Sequence, residues 1–196
     1  MKSSVHISCS AALSPRAFCS LRISFHLLSI IAVVMNMKLY IRRDCSELTA
    51  RYQVYDGKGE LRFTVSGKRT PSGESMRLRT PDGETVCRIR GLGFSALSVF
   101  SISAGKESMR LNIAVGSGRA AVRLSGISFF LRGDALMGSY SILDADNSVV
   151  CIVGKDYAKG SIGMELNQKD RETFCIAIAV CIDSLTAGAV PAMQMT

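Results

Sequence analysis

The stretch Phe174-Cys-Ile-Ala-Ile-Ala-Val-Cys-Ile182 decides the fold, because every one of its positions is apolar. Asp170 precedes it as a candidate helix cap, and Glu172 stands in the expected first turn. A helix that is hydrophobic on all sides is buried in a protein core or in a membrane. The stretch is far shorter than the roughly 20 residues that cross a bilayer. Extending it towards Ala192 adds a charge, a glycine and a proline, so a membrane span is the weaker alternative.

The sequence between residues 40 and 166 has the character of an all-β domain. Short runs of alternating apolar and polar residues are interrupted at intervals of about 8–12 residues by glycine or acidic turn signals. A wide barrel needs material to fill it, and an all-apolar helix provides that material. We therefore predict a mainly β fold: a closed antiparallel barrel of about twelve strands surrounding the apolar C-terminal helix.

Three hairpins can be checked by alternation, because a slip of one residue would turn apolar side chains to the wrong face. The predicted two-residue loops are Gly57-Lys58, Asp82-Gly83 as a type I′ turn, and Gly105-Lys106. The residues predicted to face the core are Tyr52, Val54, Leu61 and Phe63 in the first hairpin, Met76, Leu78, Cys87 and Ile89 in the second, and Phe100, Ile102, Met109 and Leu111 in the third.

The second hairpin places four arginines on the face opposite its apolar residues: Arg77, Arg79, Arg88 and Arg90. A planar guanidinium can bind phosphate through two parallel hydrogen bonds. These four residues are the candidate site for an anionic lipid or a phosphate. The alternative is a solvated strand face whose charges discourage pairing with other chains.

The charge balance argues against a nucleic-acid partner. The net charge is +8, of which residues 1–36 contribute three bases and no acid. The remaining +5 is a mild bias that is compatible with an acidic partner but falls short of the basic footprint of a nucleic-acid-binding domain. We expect no nucleic acid among the partners, and anionic membrane lipid is the candidate partner that this charge allows.

The sequence predicts a domain at residues 37–190, an N-terminal extension at 1–36 and a short tail at 191–196. The extension holds the apolar run Ile23-Ser-Phe-His-Leu-Leu-Ser-Ile-Ile-Ala-Val-Val-Met35 behind a basic leader. Its length resembles the core of a signal peptide, but no small-residue cleavage site follows. Met37 as the true start is the simpler interpretation, with a signal or anchor and an ordered segment as the alternatives.

The residue inventory argues against catalysis. Both histidines, His6 and His26, lie in the extension, so the domain has no imidazole for a Ser-His or Cys-His pair and lacks the commonest transition-metal ligand. Asp144 and Asp146 resemble part of a calcium loop but lack its glycine and distal glutamate, so a turn is favoured. The cysteines read as reduced core thiols. We predict no enzyme activity, no catalytic residues, no metal site and no cofactor.

The order of several segments resembles the LURP-one-related family of the tubby C-terminal-like superfamily. They are Met37-Lys-Leu-Tyr-Ile41, Tyr52-Gln-Val-Tyr-Asp-Gly-Lys-Gly59, Gly138-Ser-Tyr-Ser-Ile-Leu-Asp144, Ile152-Val-Gly-Lys155 and Ala177-Ile-Ala-Val-Cys-Ile-Asp183. The resemblance implies a twelve-stranded barrel around a central helix, which agrees with the strand count above. The chain lacks the tryptophans frequent in relatives, and the phosphoinositide-binding Lys/Arg pair of tubby proteins has no identifiable counterpart.

The leading functional hypothesis is a cytoplasmic, non-catalytic binding or scaffold domain of the LURP-one-related type that associates with anionic phospholipid at the membrane periphery. A secreted or membrane-anchored structural protein that uses the N-terminal apolar segment is the alternative. A carrier with a small molecule in the barrel is disfavoured, because the helix should fill the lumen. A buried pairing of Asp183 with a base such as Lys155 is a further structural hypothesis.

Overall fold

The structure is a computed structural model that describes residues 36–44, 51–70, 73–94, 97–116 and 118–186. The predicted tail, and the predicted extension apart from Asn36, lie outside these ranges, as does Cys45. No helix within the described ranges combines the length and the hydropathy that a bilayer span requires.

Twelve strands precede a single α-helix in the described part of the chain. The first six strands are β1 (Met37–Asp44), β2 (Arg51–Asp56), β3 (Leu61–Thr70), β4 (Gly73–Arg79), β5 (Thr85–Phe94) and β6 (Leu97–Ala104). The next six are β7 (Glu107–Gly116), β8 (Arg119–Ser125), β9 (Phe130–Asp134), β10 (Ser139–Leu143), β11 (Val149–Asp156) and β12 (Ser161–Leu166). A 3₁₀ turn (Lys169–Arg171) leads into α1 (Glu172–Thr186).

The strands form one antiparallel sheet that curls into a nearly closed barrel. Every strand pairs with its neighbour in sequence except at β8 and β9, and β1 pairs with β12, so the first and last strands meet. β8 and β9 lie beside each other at the remaining seam without a backbone ladder between them, as far as the described residues extend. The prediction of about twelve strands in an antiparallel barrel is confirmed.

Helix α1 fills the barrel. Residues 174–184 are all buried, and the inward side chains of the strands pack around them as one continuous core. Two features of the predicted helix start differ: Gln168 occupies the N-cap position of the 3₁₀ turn, and Asp170 lies within that turn, where it pairs with Arg171. Glu172 stands in the first turn of α1, as predicted. The helix therefore fills the barrel interior, as the strand pattern predicted.

The second and third hairpins have the predicted faces and register. Leu78 pairs with Cys87, and Ile102 pairs with Met109, all four being buried. The predicted type I′ turn is wrong, because only Gly83 has a positive φ, whereas type I′ requires two such residues. The loop has three residues and is closed by hydrogen bonds of Thr80 with Glu84 and Gly83. A bulge accompanies the longer loop, so the strands beyond it keep the predicted register.

The first hairpin departs from the prediction in its loop, in its register and in the face of one core residue. Its loop contains Gly59 at positive φ as a third residue, and a bulge follows. Leu61 therefore pairs with Tyr55 and is 38% exposed, so its predicted place in the core is wrong. The predicted two-residue loop pairs Val54 with Leu61, whereas in the structure Val54 pairs with Phe63, and both of these side chains face the core as predicted. One bulged residue is enough to turn a neighbouring side chain to the opposite face.

Ion pairs tie both ends of α1 to the barrel wall. At the start, the buried Glu172 carboxylate accepts a hydrogen bond from Arg62 Nη2 at 3.1 Å. Burial raises the pKa of Glu172, and the nearby guanidinium opposes that rise. At the end, Lys155 Nζ donates to Asp183 Oδ1 at 2.6 Å, with side-chain exposures of 20% and 8%. The hypothesis of a buried Lys155–Asp183 pair is confirmed, and the two contacts fix the axial position of the helix.

We expect Ile178→Asp to abolish cooperative folding. Ile178 lies at the centre of the barrel with no exposed surface, and an unpaired carboxylate there costs several kcal/mol. Ile178→Val is the matched control and should cost about 1 kcal/mol. Thermal unfolding followed by circular dichroism checks both, and a cooperative melt of the aspartate variant would place the helix outside the barrel.

The ion pair at the end of α1 gives a second stability prediction. Lys155→Met leaves the Asp183 carboxylate buried without its partner and should cost about 3 kcal/mol. The double variant Lys155→Met/Asp183→Leu removes both charges and should recover most of that loss. Urea unfolding measures the three free energies. Additive losses in the double variant would mean that the pair does not act as a unit.

Candidate functional site

The outward side chains of β4 and β5 form a basic surface. We refer to the surface around Arg77, Arg88 and Arg90 as the basic face. All three side chains are exposed, and their inward neighbours along the strands are buried. Arg77 stands directly opposite Arg88, while Arg90 stands opposite Ser75. The sequence prediction placed these residues on one side of the sheet, and the register brings them together there.

Arg79, the fourth predicted residue, is held differently. The register shifts after Leu78, so that Arg79 pairs with Thr85 next to the turn. Its side chain is half-buried, and Nη1 donates to Ser66 Oγ at 3.3 Å. Arg79 therefore lies at the margin of the basic face with part of its donor capacity in use.

The basic face continues across strands that the sequence prediction did not include. Arg90 pairs with Ser101, which pairs with Arg110, and Arg110 pairs with Ser125. In the next row of outward side chains along these strands, Asn112 pairs with Arg123. On the other side of Arg90, Lys68 of β3 pairs with Ser75. The alternation in β7 and β8 was available as a signal, but only the sheet order shows that these strands extend the same surface.

The basic face brings like charges together without compensating acids. As the register assigns them, the described outward positions of β3 to β8 carry no aspartate or glutamate. Within the described ranges, Arg77, Arg88 and Arg90 form no ion pair or hydrogen bond. Like charges directly opposite each other destabilise a strand pair. An anion that accepts hydrogen bonds from Arg77 and Arg88 together would remove that repulsion.

A second surface feature lies on the other side of the barrel. Gly154 and Gly163 pair on β11 and β12 and leave a shallow depression of about 270 Å³ between Tyr40 and Ile152. Lys38 Nζ and Glu165 Oε1 lie 3.4 Å apart at its border. Because its two charges are of opposite sign and already paired, this depression offers less to an anion than the basic face does.

In the described part of the chain, α1 and the inward side chains of the strands fill the barrel. A cavity of about 10 Å³ lies beside the end of α1, lined by Tyr140, Lys155 and Asp183 among others. That volume corresponds to about one water molecule. Burial raises the pKa of Tyr140 well above its usual range. The small cavity supports the expectation that the helix, and not a small molecule, occupies the lumen.

The described cysteines are buried and free: Cys87, Cys151, Cys175 and Cys181. Burial raises the pKa of the Cys87 thiol to about 11 and that of Cys181 well above its usual range. A hydrogen bond with Cys151, together with burial, raises the pKa of Cys175. These three thiols are protonated at neutral pH, whereas a nucleophilic cysteine acts as the thiolate.

The acidic turn that resembles a calcium loop is organised by protein donors. Asp144 Oδ1 accepts the backbone N–H groups of Asp146 and Ser148, and Oδ2 accepts Gln168 Nε2 at 3.0 Å. The bond from Gln168 is the leading cause that holds the pKa of Asp144 below its usual value. The described residues contain no cluster of three or more metal-ligating side chains, and Asp144 serves as a turn residue.

Comparison with known proteins identifies a family for most of the chain. The family model described as LURP-one-related matches residues 37–183 of the chain. The uncharacterized protein YxjI of Bacillus subtilis (strain 168) is 22% identical over 149 residues, which make up 75% of this chain and 92% of that protein.

A solved structure has a similar fold. The X-ray structure of a protein from Arabidopsis thaliana superposes with a TM-score of 0.51 and 14% sequence identity. The similarity covers 76% of this chain and 91% of that one. At this identity the likeness concerns the barrel and its helix, and it carries no assignment of ligand.

Proposed function

The chain belongs to the LURP-one-related family, and from that premise we propose that its barrel is a non-catalytic binding domain that associates with anionic phospholipid through the basic face. The observation that carries the proposal is the direct opposition of Arg77 and Arg88 on an outward surface whose described strand positions carry no carboxylate. Such an arrangement is costly in the free protein and favourable next to phosphate groups.

The absence of a catalytic function is part of the proposal. Two observations support the absence of catalysis. The thiols of Cys87, Cys175 and Cys181 are protonated. The Asp144 carboxylate already accepts hydrogen bonds from protein donors. Free cysteines in the core are typical of proteins in a reducing compartment. We propose on this basis that the protein is cytoplasmic and acts at the membrane periphery.

The magnitude of the expected attraction follows from surface electrostatics. Each basic residue near an anionic membrane surface contributes about 1 kcal/mol, and the contribution falls off within a Debye length of about 8–10 Å. Arg77, Arg88 and Arg90 lie on adjacent strands, within this distance of one another, so all three can act on one membrane surface.

We expect Arg77→Gln/Arg88→Gln/Arg90→Gln to weaken binding to anionic vesicles by about a hundredfold while leaving the melting temperature nearly unchanged. The arginines point away from the core, and exposed substitutions of this kind change stability by about 0.5 kcal/mol or less. Co-sedimentation with vesicles of phosphatidylcholine, with and without phosphatidylserine, measures the binding.

The matched control is Lys58→Gln/Lys106→Gln/Lys159→Gln, which removes the same charge from exposed turns outside the basic face. This variant should lose only a small part of the affinity. Equal losses in the two variants would mean that net charge and not the basic face determines binding. Equal binding of the wild-type protein to neutral and anionic vesicles at low salt would refute the proposal.

A further inference from the structure

The basic face adjoins an exposed apolar edge at one end of β5, β6 and β7. Leu92 is 57% exposed and Leu97 is 45% exposed, although both are large and apolar. Leu92 pairs with Val99, and Leu97 pairs with the exposed Ala114. We refer to Leu92, Leu97, Val99 and Ala114 as the apolar edge.

The apolar edge and the basic face belong to the same surface. Leu92 follows Arg88 and Arg90 on the outward side of β5. On β7 the outward side chains change from Arg110 through Asn112 to Ala114 in the same direction. β6 lies between these strands, and its outward side chains change in the same spatial direction from serines to Val99 and Leu97. Three adjacent strands therefore share one gradient from polar or basic to apolar.

The spacing of the gradient fits a bilayer surface. Outward residues on a strand repeat every two positions, which is about 7 Å. The arginine groups therefore stand about 7–14 Å from the apolar edge along the strands. Amphipathic elements at membranes bury their apolar side about 5–10 Å into the boundary between headgroups and acyl chains. With the apolar edge at that depth, Arg90 and Arg110 reach the level of the lipid phosphates.

On this basis we propose that the apolar edge inserts into the bilayer and orients the barrel on it, with the basic face against the headgroups. The inference rests on the proposed function and adds the contact that fixes orientation. The occupant is an anionic bilayer because one continuous surface presents both an apolar element and arginines that form no ion pair with the residues that the structure describes. A bilayer interface offers the complementary chemistry in the same order, phosphates first and acyl chains beneath.

The chain contains no tryptophan, so a single introduced tryptophan reports its own surroundings. The test variant is Leu97→Trp, at the apolar edge. The matched control is Ile152→Trp: Ile152 is 44% exposed, faces outward on β11, and lies seven strands from β6 in the sheet order. Both variants are mixed with phosphatidylcholine vesicles that contain about one third phosphatidylserine.

We expect the emission of Leu97→Trp to shift to shorter wavelength on these vesicles and to be quenched by lipids brominated on their acyl chains. The emission of Ile152→Trp should stay unchanged. If Leu97→Trp co-sediments with the vesicles and its emission neither shifts nor is quenched, the inference is wrong while the proposed function stands. If neither variant nor the wild-type protein binds anionic vesicles, both fail. A shift that depends on protein concentration without vesicles would assign the edge to contact between copies and overturn the inference.

The salt dependence of binding gives an independent readout. High salt screens the contribution of the exposed arginines but leaves the transfer of apolar side chains unaffected. Leu92→Ser/Leu97→Ser should therefore lose about tenfold in affinity and should release the vesicles completely at high salt, where the wild-type protein keeps residual binding. Phe130→Ser/Ile152→Ser is the control with equally exposed residues elsewhere. Retention of salt-resistant binding by the leucine variant would overturn the inference.

Discussion

The structure depends on the burial of a helix that is apolar on every side. Twelve strands about 4.8 Å apart and tilted by about 40° close into a circle of about 12 Å radius. A helix with its side chains occupies a radius of about 5–6 Å, which leaves room for one layer of inward side chains. The number of strands and the presence of the helix therefore depend on each other. A barrel of this size without α1 would be hollow, and α1 without the barrel would expose its apolar surface to water.

Complete burial of the helix also explains why both of its ends form ion pairs with the barrel wall. A helix that is apolar all round has no polar side to set its position, so its location along the barrel axis depends on its termini. Glu172 lies at the N-terminus, where a negative charge is favourable to the helix dipole, and Arg62 pairs with it. Asp183 lies near the C-terminus, where a negative charge is unfavourable, and Lys155 at 2.6 Å compensates for it. The resulting pairs reach the barrel wall at β3 and β11.

Alternation predicted which residues face inward, and it failed only where the strand itself is irregular. The faces of the second and third hairpins follow from sequence because burial of one side fixes the register. Leu61 was misplaced because a bulge beyond Gly59 reverses its direction, and sequence alternation does not reveal a bulge. The Arg77–Arg88 opposition was foreseeable within one hairpin. The inclusion of Arg110 was not, because it depends on which strands become neighbours and where the sheet closes.

The central helix also packs against strands that carry the basic face and the apolar edge. β5 and β6 are among the strands that pack against α1, and they carry part of the basic face and most of the apolar edge. Between Arg90 and Leu92, Gly91 leaves space for the Phe100 ring, since a Cβ atom there would stand only 2.6 Å from it. The backbone beneath the surface is thus held by close packing. Because outward side chains do not contribute to the core, Arg77 and Arg88 can stand opposite each other without disturbing it, and the proposed anionic partner would offset the repulsion between them.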